Sequence, residues 1–166
     1  MPTPRILAVE DTAITQSALK RELKEYGCDI VIAGTAEEAW EILEREPAFH
    51  AVILDFHLPG EDGASFYRRF AMDPRFSSIA VIPFTAIMYA DESATNVSVA
   101  QDFVTARPTA KADRSHPIVS KGGREDVSQL PGPLILSVGH ALQNAGIPLP
   151  PTLRAAMKIH VRALLD

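Results

Sequence analysis

Four apolar residues followed at once by an acid, Ala51-Val52-Ile53-Leu54-Asp55, leave this chain few folds to choose from. A run this short, bounded by turn residues, fits a strand buried on both faces, as in a parallel sheet. Leu58-Pro59-Gly60 and the later Gly63 turn the chain directly after it. Asp55 therefore falls at the carboxyl edge of a central strand, where open α/β sheets place their ligand sites. A charge there is costly unless something needs it. The simpler alternative is that Asp55 caps the helix after the turn.

The rest of the chain alternates in the same way. Arg5–Val9 reads as a first buried strand that ends on Glu10 and Asp11. From Thr12 to Tyr26 a helix puts Leu19, Leu23 and Tyr26 on one face, with Gly27 to terminate it. Asp29–Ala33 is the second strand. Thr35 opens a helix with Glu38 at capping-box spacing, and Ala36, Ala39, Trp40 and Leu43 form its apolar stripe. Trp40 reads as core packing rather than a binding platform. After Asp55, Phe66, Tyr67 and Phe70 lie at helical spacing, and Ile79–Phe84 forms a fourth strand ending on Thr85. Asp91 opens a further helix with Ala94, Val97, Ala100, Phe103 and Val104 as its stripe. Pro117–Lys121 is the fifth strand, and Pro131 starts a helix that Gly146 ends. Strands alternating with helices at this spacing imply βαβ crossovers and a doubly wound parallel α/β sheet covered on both faces.

Composition narrows the function. A chain of 166 residues suggests one domain, residues 1–146, with a proline-rich connector and a helix over 147–166. A net charge of −5 argues against a whole-domain nucleic-acid binder. The single cysteine, Cys28, excludes an internal disulfide and reads as a small buried hydrophobe, which suits a cytoplasmic setting. No signal peptide is visible, and no apolar run approaches the roughly 20 residues needed to cross a bilayer. In the last helix Leu153, Met157, Val161 and Leu164 form an apolar seam beside a basic one of Arg154, Lys158 and Arg162. A short helix cannot bury such a seam alone, so it docks on its own domain or on a second copy, and a homodimer is expected.

The acids at the strand ends suggest the chemistry. The first and third strands are neighbours at the switch point of a doubly wound sheet, so Glu10, Asp11 and Asp55 converge on one crevice. Three carboxylates in a small pocket require a cation between them. An all-oxygen set with room for water fits Mg²⁺. A hydroxyl from Thr85 and an ammonium from the end of the fifth strand complete a site that receives a phosphoryl group, with Asp55 as nucleophile.

The motifs Glu10-Asp11-Thr12, VILDFHLPGEDG at 52–63 and PFTA at 83–86 resemble those of a response-regulator receiver domain in two-component signalling, of the single-domain type. The resemblance covers roughly residues 4–90. It implies a five-stranded sheet of flavodoxin-like order 2-1-3-4-5, here with an extra C-terminal helix. It also implies that Asp55 is the phosphoacceptor, that Glu10 and Asp11 serve Mg²⁺ with Asp55, and that His57 lends the metal its backbone carbonyl. Thr85 would bind the phosphoryl oxygen. The family's lysine precedes a proline at the end of the fifth strand. Two positions compete for that place: Arg107, which precedes Pro108, and Lys121, which follows a better strand. Lys121 is favoured because a compact ammonium is not freely replaced by a guanidinium. That choice implies an insertion around 105–117.

The expectation is a stand-alone response regulator, not an enzyme in its own right. It takes a phosphoryl group from a sensor histidine kinase and signals by protein contact or onward phosphotransfer, with no DNA or membrane partner. Ile87-Met88-Tyr89 is expected to line the responsive surface. The alternatives are a pseudo-receiver that serves only as an interaction module, and a Mg²⁺-dependent aspartyl phosphohydrolase.

Overall fold

The computed structural model describes residues 2–46, 48–85, 106, 116, 118–121 and 132–165. Its elements are β1 (Arg5–Val9), α1 (Ala13–Glu25), β2 (Asp29–Ala33), α2 (Ala36–Arg45), β3 (Ala51–Leu54) and α3 (Gly63–Met72), then a 3₁₀ turn at Pro74–Phe76. There follow β4 (Ala80–Thr85), β5 (Val119–Ser120), α4 (Gly132–Asn144) and α5 (Pro151–Leu165). The expected helix after Asp91, Arg107 and the Ile87-Met88-Tyr89 cluster lie outside the described residues.

The strands form one parallel sheet of order β2-β1-β3-β4-β5. Side chains alternate across it. Ile6, Ala8, Ile53, Ile82, Phe84 and Val119 face a core shared with α1, α4 and α5. Leu7, Val9, Val52, Leu54 and Val81 face the core shared with α2 and α3. Both faces are covered, so the strands read as apolar runs rather than alternating ones. Pro83 sits in β4 opposite Leu54. Val81 and Thr85 turn their carbonyls toward the β5 side, accepting from the His116 and Lys121 amides. Pro83 shares their orientation, so its missing N–H falls where the two-residue β5 is only beginning.

Helix ends follow local chemistry. Glu38 N–H donates to Thr35 Oγ1, while the Glu38 carboxylate accepts from Gly34 N–H, one residue earlier than a reciprocal capping box would have it. Thr12 flanks α1 without a side-chain cap, and its N–H instead donates to the Glu10 carboxylate. Cys28 is buried, which pushes its thiol up to about 11 and makes it the inert small hydrophobe expected.

The last helix docks within the chain. Leu153, Ala156 and Met157 are buried in the core shared with α4, where Met157 fills the space that any side chain at position 139 would occupy. The seam read from sequence is thus only partly right. Val161 is 44% exposed, because the buried stripe follows Leu153, Ala156 and Met157 instead.

The junction of β3 and α3 admits one residue only. Asp62 caps α3 by accepting from Ser65 N–H, and Gly63 N–H donates to the Phe56 carbonyl. A Cβ on Gly63 would lie 2.5 Å from Phe56 Cα and closer still to the Asp55 carbonyl, both backbone atoms that cannot swing aside. Gly63→Ala is expected to destabilise the fold by at least about 2 kcal/mol in urea unfolding. A loss below about 0.5 kcal/mol, the range of a neutral surface change, would contradict this account.

Candidate phosphoacceptor site

The register of the sheet assembles the site. Val9 pairs with Leu54 and Ala33, and Thr85 pairs with Ser120, so these residues end their strands together. The residue after each strand end is tied to its neighbour. Glu10 N–H donates to the Ala33 carbonyl, Asp55 N–H to Val9, and Lys121 N–H to Thr85. Glu10, Asp55, Thr85 and Lys121 thus arrive at one edge by backbone hydrogen bonding, before any side chain meets another.

The side chains then converge. Glu10, Asp55 and Thr85 are 1%, 4% and 0% exposed, which makes them the pocket's floor. Asp11 is exposed at its rim. One carboxylate oxygen from each of Glu10, Asp11 and Asp55 lies within 4.8 Å of the others. Each Asp55 oxygen has its own partner. Oδ1 accepts from Thr85 Oγ1 at 3.2 Å and from His57 N–H at 3.0 Å, while Oδ2 accepts from the Lys121 ammonium at 2.5 Å. That ammonium also pairs with Glu10 Oε2 and lies 5.7 Å from the Phe84 ring centroid. Glu10 Oε1 accepts from Thr12 N–H, and Gln16 Nε2 donates to the Glu10 carbonyl.

Burial pushes the Glu10 carboxyl above its ordinary value; the Lys121 ammonium and the Thr12 amide pull it back, and Asp55 adds to the rise. Among the described residues, three carboxylates against one ammonium give the pocket excess negative charge. The donor set is all oxygen, with one member open to water, so the residues present fit a hard divalent ion such as Mg²⁺.

Lys121 stands in the pocket, while Arg107 lies outside the described residues. The side chain of His57 is exposed and only its main chain enters the pocket. Sequence reading missed Gln16, and it named Thr12 in the motif without its amide contact to Glu10; both contributions depend on where α1 starts relative to β1. It also missed Glu37 and Arg69, which hold the loop after Asp55 through Glu61 from other elements.

A doubly wound parallel sheet with clustered acids, a threonine and a lysine at its carboxyl edge defines a receiver-type signalling module. The sequence matches the family model described as response regulator receiver domain over residues 6–109, and the chain belongs to that family. It is 37% identical over 82 residues to the sensor protein TorS of Escherichia coli, covering 49% of this chain and 9% of that protein. It is 31% identical over 85 residues to the peroxide stress-activated histidine kinase mak3 of Schizosaccharomyces pombe, covering 50% of this chain and 4% of that protein. With the transcriptional regulatory protein AruR of Pseudomonas aeruginosa it shares 37% identity over 70 residues, 39% of this chain and 28% of that protein. The chain therefore spans less than a third of the length of these relatives. Among solved structures, a sensor protein from Polaromonas sp. JS666 superposes with a TM-score of 0.62 at 26% identity, covering 87% of this chain and 99% of that one. A response regulator from Thermotoga maritima shares the fold with a TM-score of 0.58 at 21% identity, covering 86% and 99%.

Removing the ammonium tests the electrostatic account. Lys121→Met leaves Glu10 and Asp55 facing each other without a counter-charge, a loss of about 3 kcal/mol by the usual measure of a broken buried pair. It also raises the folded-state pKa of Glu10 further. A group with a raised folded pKa adds stability below its unfolded value, near 4.5, and loses it as pH climbs through the folded value. The deficit of Lys121→Met against wild type, measured by thermal melts in EDTA, should therefore grow from acid toward neutral pH. A deficit independent of pH would refute the pairing.

Proposed function

We propose that this chain accepts a phosphoryl group on Asp55 from a sensor histidine kinase in a Mg²⁺-dependent reaction, and passes the signal on by protein contact or phosphorelay. One observation carries the reading: Thr85 and Lys121, from two different strands, each touch a different oxygen of the same buried carboxylate. A cap for the following helix would not need them, and Asp62 already caps that helix.

In this reading Glu10, Asp11, Asp55 and the His57 carbonyl hold the ion, which when bound supplies positive charge to neutralise the phosphoryl oxygens. An Asp55 oxygen attacks phosphorus. A new O–P bond forms as the bond from phosphorus to the kinase imidazole nitrogen breaks, and the imidazole leaves with the electron pair. Lys121 exchanges its contact with Oδ2 for a phosphoryl oxygen, and Thr85 turns its hydroxyl to another. The product carries about −1.5 to −2 charge at pH 7. That charge biases the ends of β4 and β5 toward the phosphorylated arrangement.

The family match ends at residue 109, whereas the lysine in the pocket lies beyond it. This supports an insertion around 105–117, ahead of the fifth strand, within a receiver domain of 1–146. The apolar stripe of α5 is used against α4, so the proposal needs only one copy of the chain. A cytoplasmic setting, where histidine kinases hold their phosphoryl groups, is part of the same reading.

Incubation with acetyl phosphate and Mg²⁺, followed by intact-mass measurement, tests it. The wild type should gain the mass of one phosphoryl group. Asp55→Asn and EDTA-treated protein should gain none, and Thr85→Ala should still be labelled. No gain in the wild type under any condition would leave a constitutive interaction module. Rapid turnover of small phosphate esters would instead indicate a phosphohydrolase.

A further inference from the structure

The loop from His57 to Asp62 carries the carbonyl assigned to the ion, so its shape matters as much as the carboxylates. Its near end is fixed by His57 N–H on Asp55 Oδ1 and by Gly63 N–H on the Phe56 carbonyl. Between these lie Pro59 and Gly60, the latter at φ +74°, a conformation that only glycine adopts without strain. The far end is fixed from α2. Glu61 N–H donates to Glu37 Oε1 at 3.0 Å, and a Cβ on Gly60 would lie only 3.0 Å from that same oxygen.

The Glu61 side chain is tied to α3. Both of its carboxylate oxygens accept from Arg69 Nη2 at 3.0 Å. The Arg69 guanidinium lies 3.9 Å from the ring centroid of Trp40, back on α2. Trp40 is itself wedged edge-on between Phe66 and Phe76, at 6.0 and 5.6 Å. Helix, loop, helix and ring form a closed circuit: Glu37, Glu61, Arg69, Trp40. The Glu61 amide also holds the Glu37 carboxyl below its ordinary value.

We propose that Glu37 is a positioning residue for divalent-ion binding: by fastening the Glu61 amide, it holds the 57–61 loop in the shape that presents the His57 carbonyl beside Asp55. This rests on the Mg²⁺ reading above. Glu37 touches neither the ion nor the phosphoryl group, and acts only through the loop.

Trp40 is the single tryptophan of the chain and sits on the circuit, so its emission, together with calorimetry, follows Mg²⁺ binding. Glu37→Ala should raise the Mg²⁺ concentration for half-saturation about tenfold, the low end for groups that orient metal ligands. Its labelling rate by acetyl phosphate at saturating Mg²⁺ should stay near that of wild type. Glu37→Gln keeps a carbonyl oxygen to accept from Glu61 and should bind Mg²⁺ as wild type does. Gly60→Ala, which pushes Glu37 away but leaves its charge, should weaken binding as Glu37→Ala does. Amide exchange at Glu61 in ion-free protein should quicken in Glu37→Ala but not in Glu37→Gln. Unchanged half-saturation in Glu37→Ala, with the wild type still binding Mg²⁺, overturns the clasp alone. Equal weakening in Glu37→Ala and Glu37→Gln makes the effect one of charge and overturns it as well. A wild type that binds no Mg²⁺ overturns the metal reading together with the clasp, even where Glu61 exchange quickens.

Discussion

Like charges held close together at the end of a buried sheet are the constraint to which the rest of this protein answers. At an effective dielectric of about 20, two carboxylates about 4 Å apart repel by about 4 kcal/mol. Glu10 and Asp55 are both buried and Asp11 stands at the rim. The Lys121 ammonium between the first two makes the arrangement tolerable, and among the described residues it does so with the excess charge still negative. The pocket is therefore held folded in a state that invites more positive charge. A site poised in this way responds strongly to whatever cation or anion enters it.

The sheet's job is to impose that closeness. Parallel pairing fixes which residue follows each strand end, and the backbone bonds from Glu10, Asp55 and Lys121 to neighbouring strands leave little freedom. The two cores then lock the sheet from either side. β5 is only two residues long, yet Val119 is anchored in the same core as Leu134, Ile135 and Val138 of α4. Through α4 that core continues into α5, where Met157 occupies the space beside Gly139. The element that delivers the lysine is thus short in hydrogen bonds but well backed by packing.

A second set of contacts governs the loop after Asp55. In the proposed reading the carboxylates would supply affinity for a cation, and a carbonyl oxygen on the loop would add to it only while the loop is held in shape. Glu37, Arg69 and Trp40 provide that restraint from helices that contribute nothing to the pocket directly. The division is a general one: charge sets how strongly a site attracts its ligand, and the packing around it sets how well the ligand is met.

Much of this was written in local pattern. β1 to β4 are runs of four to six largely apolar residues, the helices carry stripes at their own period, and β1, β3 and β4 end on an acid or a hydroxyl. Those signals are short-range, because side-chain burial along one element repeats with that element's geometry. They were enough to predict a doubly wound parallel sheet and the convergence of Glu10, Asp11, Asp55 and Thr85, while the strand order followed from the resemblance to receiver domains. They misplaced the buried stripe of α5, where Val161 is exposed, because a helix with two apolar-looking faces is decided by its partner. Lys121 was favoured over Arg107 on side-chain chemistry and the better strand before it, but pattern could not bring it to the site. It took the pairing of Thr85 with Ser120 to put Lys121 against Asp55. Nor did Glu37 announce itself: an acid on an exposed helical face means nothing until the fold brings the Glu61 amide to it. Contacts between distant segments depend on register and approach angle, and those quantities exist only once the whole chain is packed.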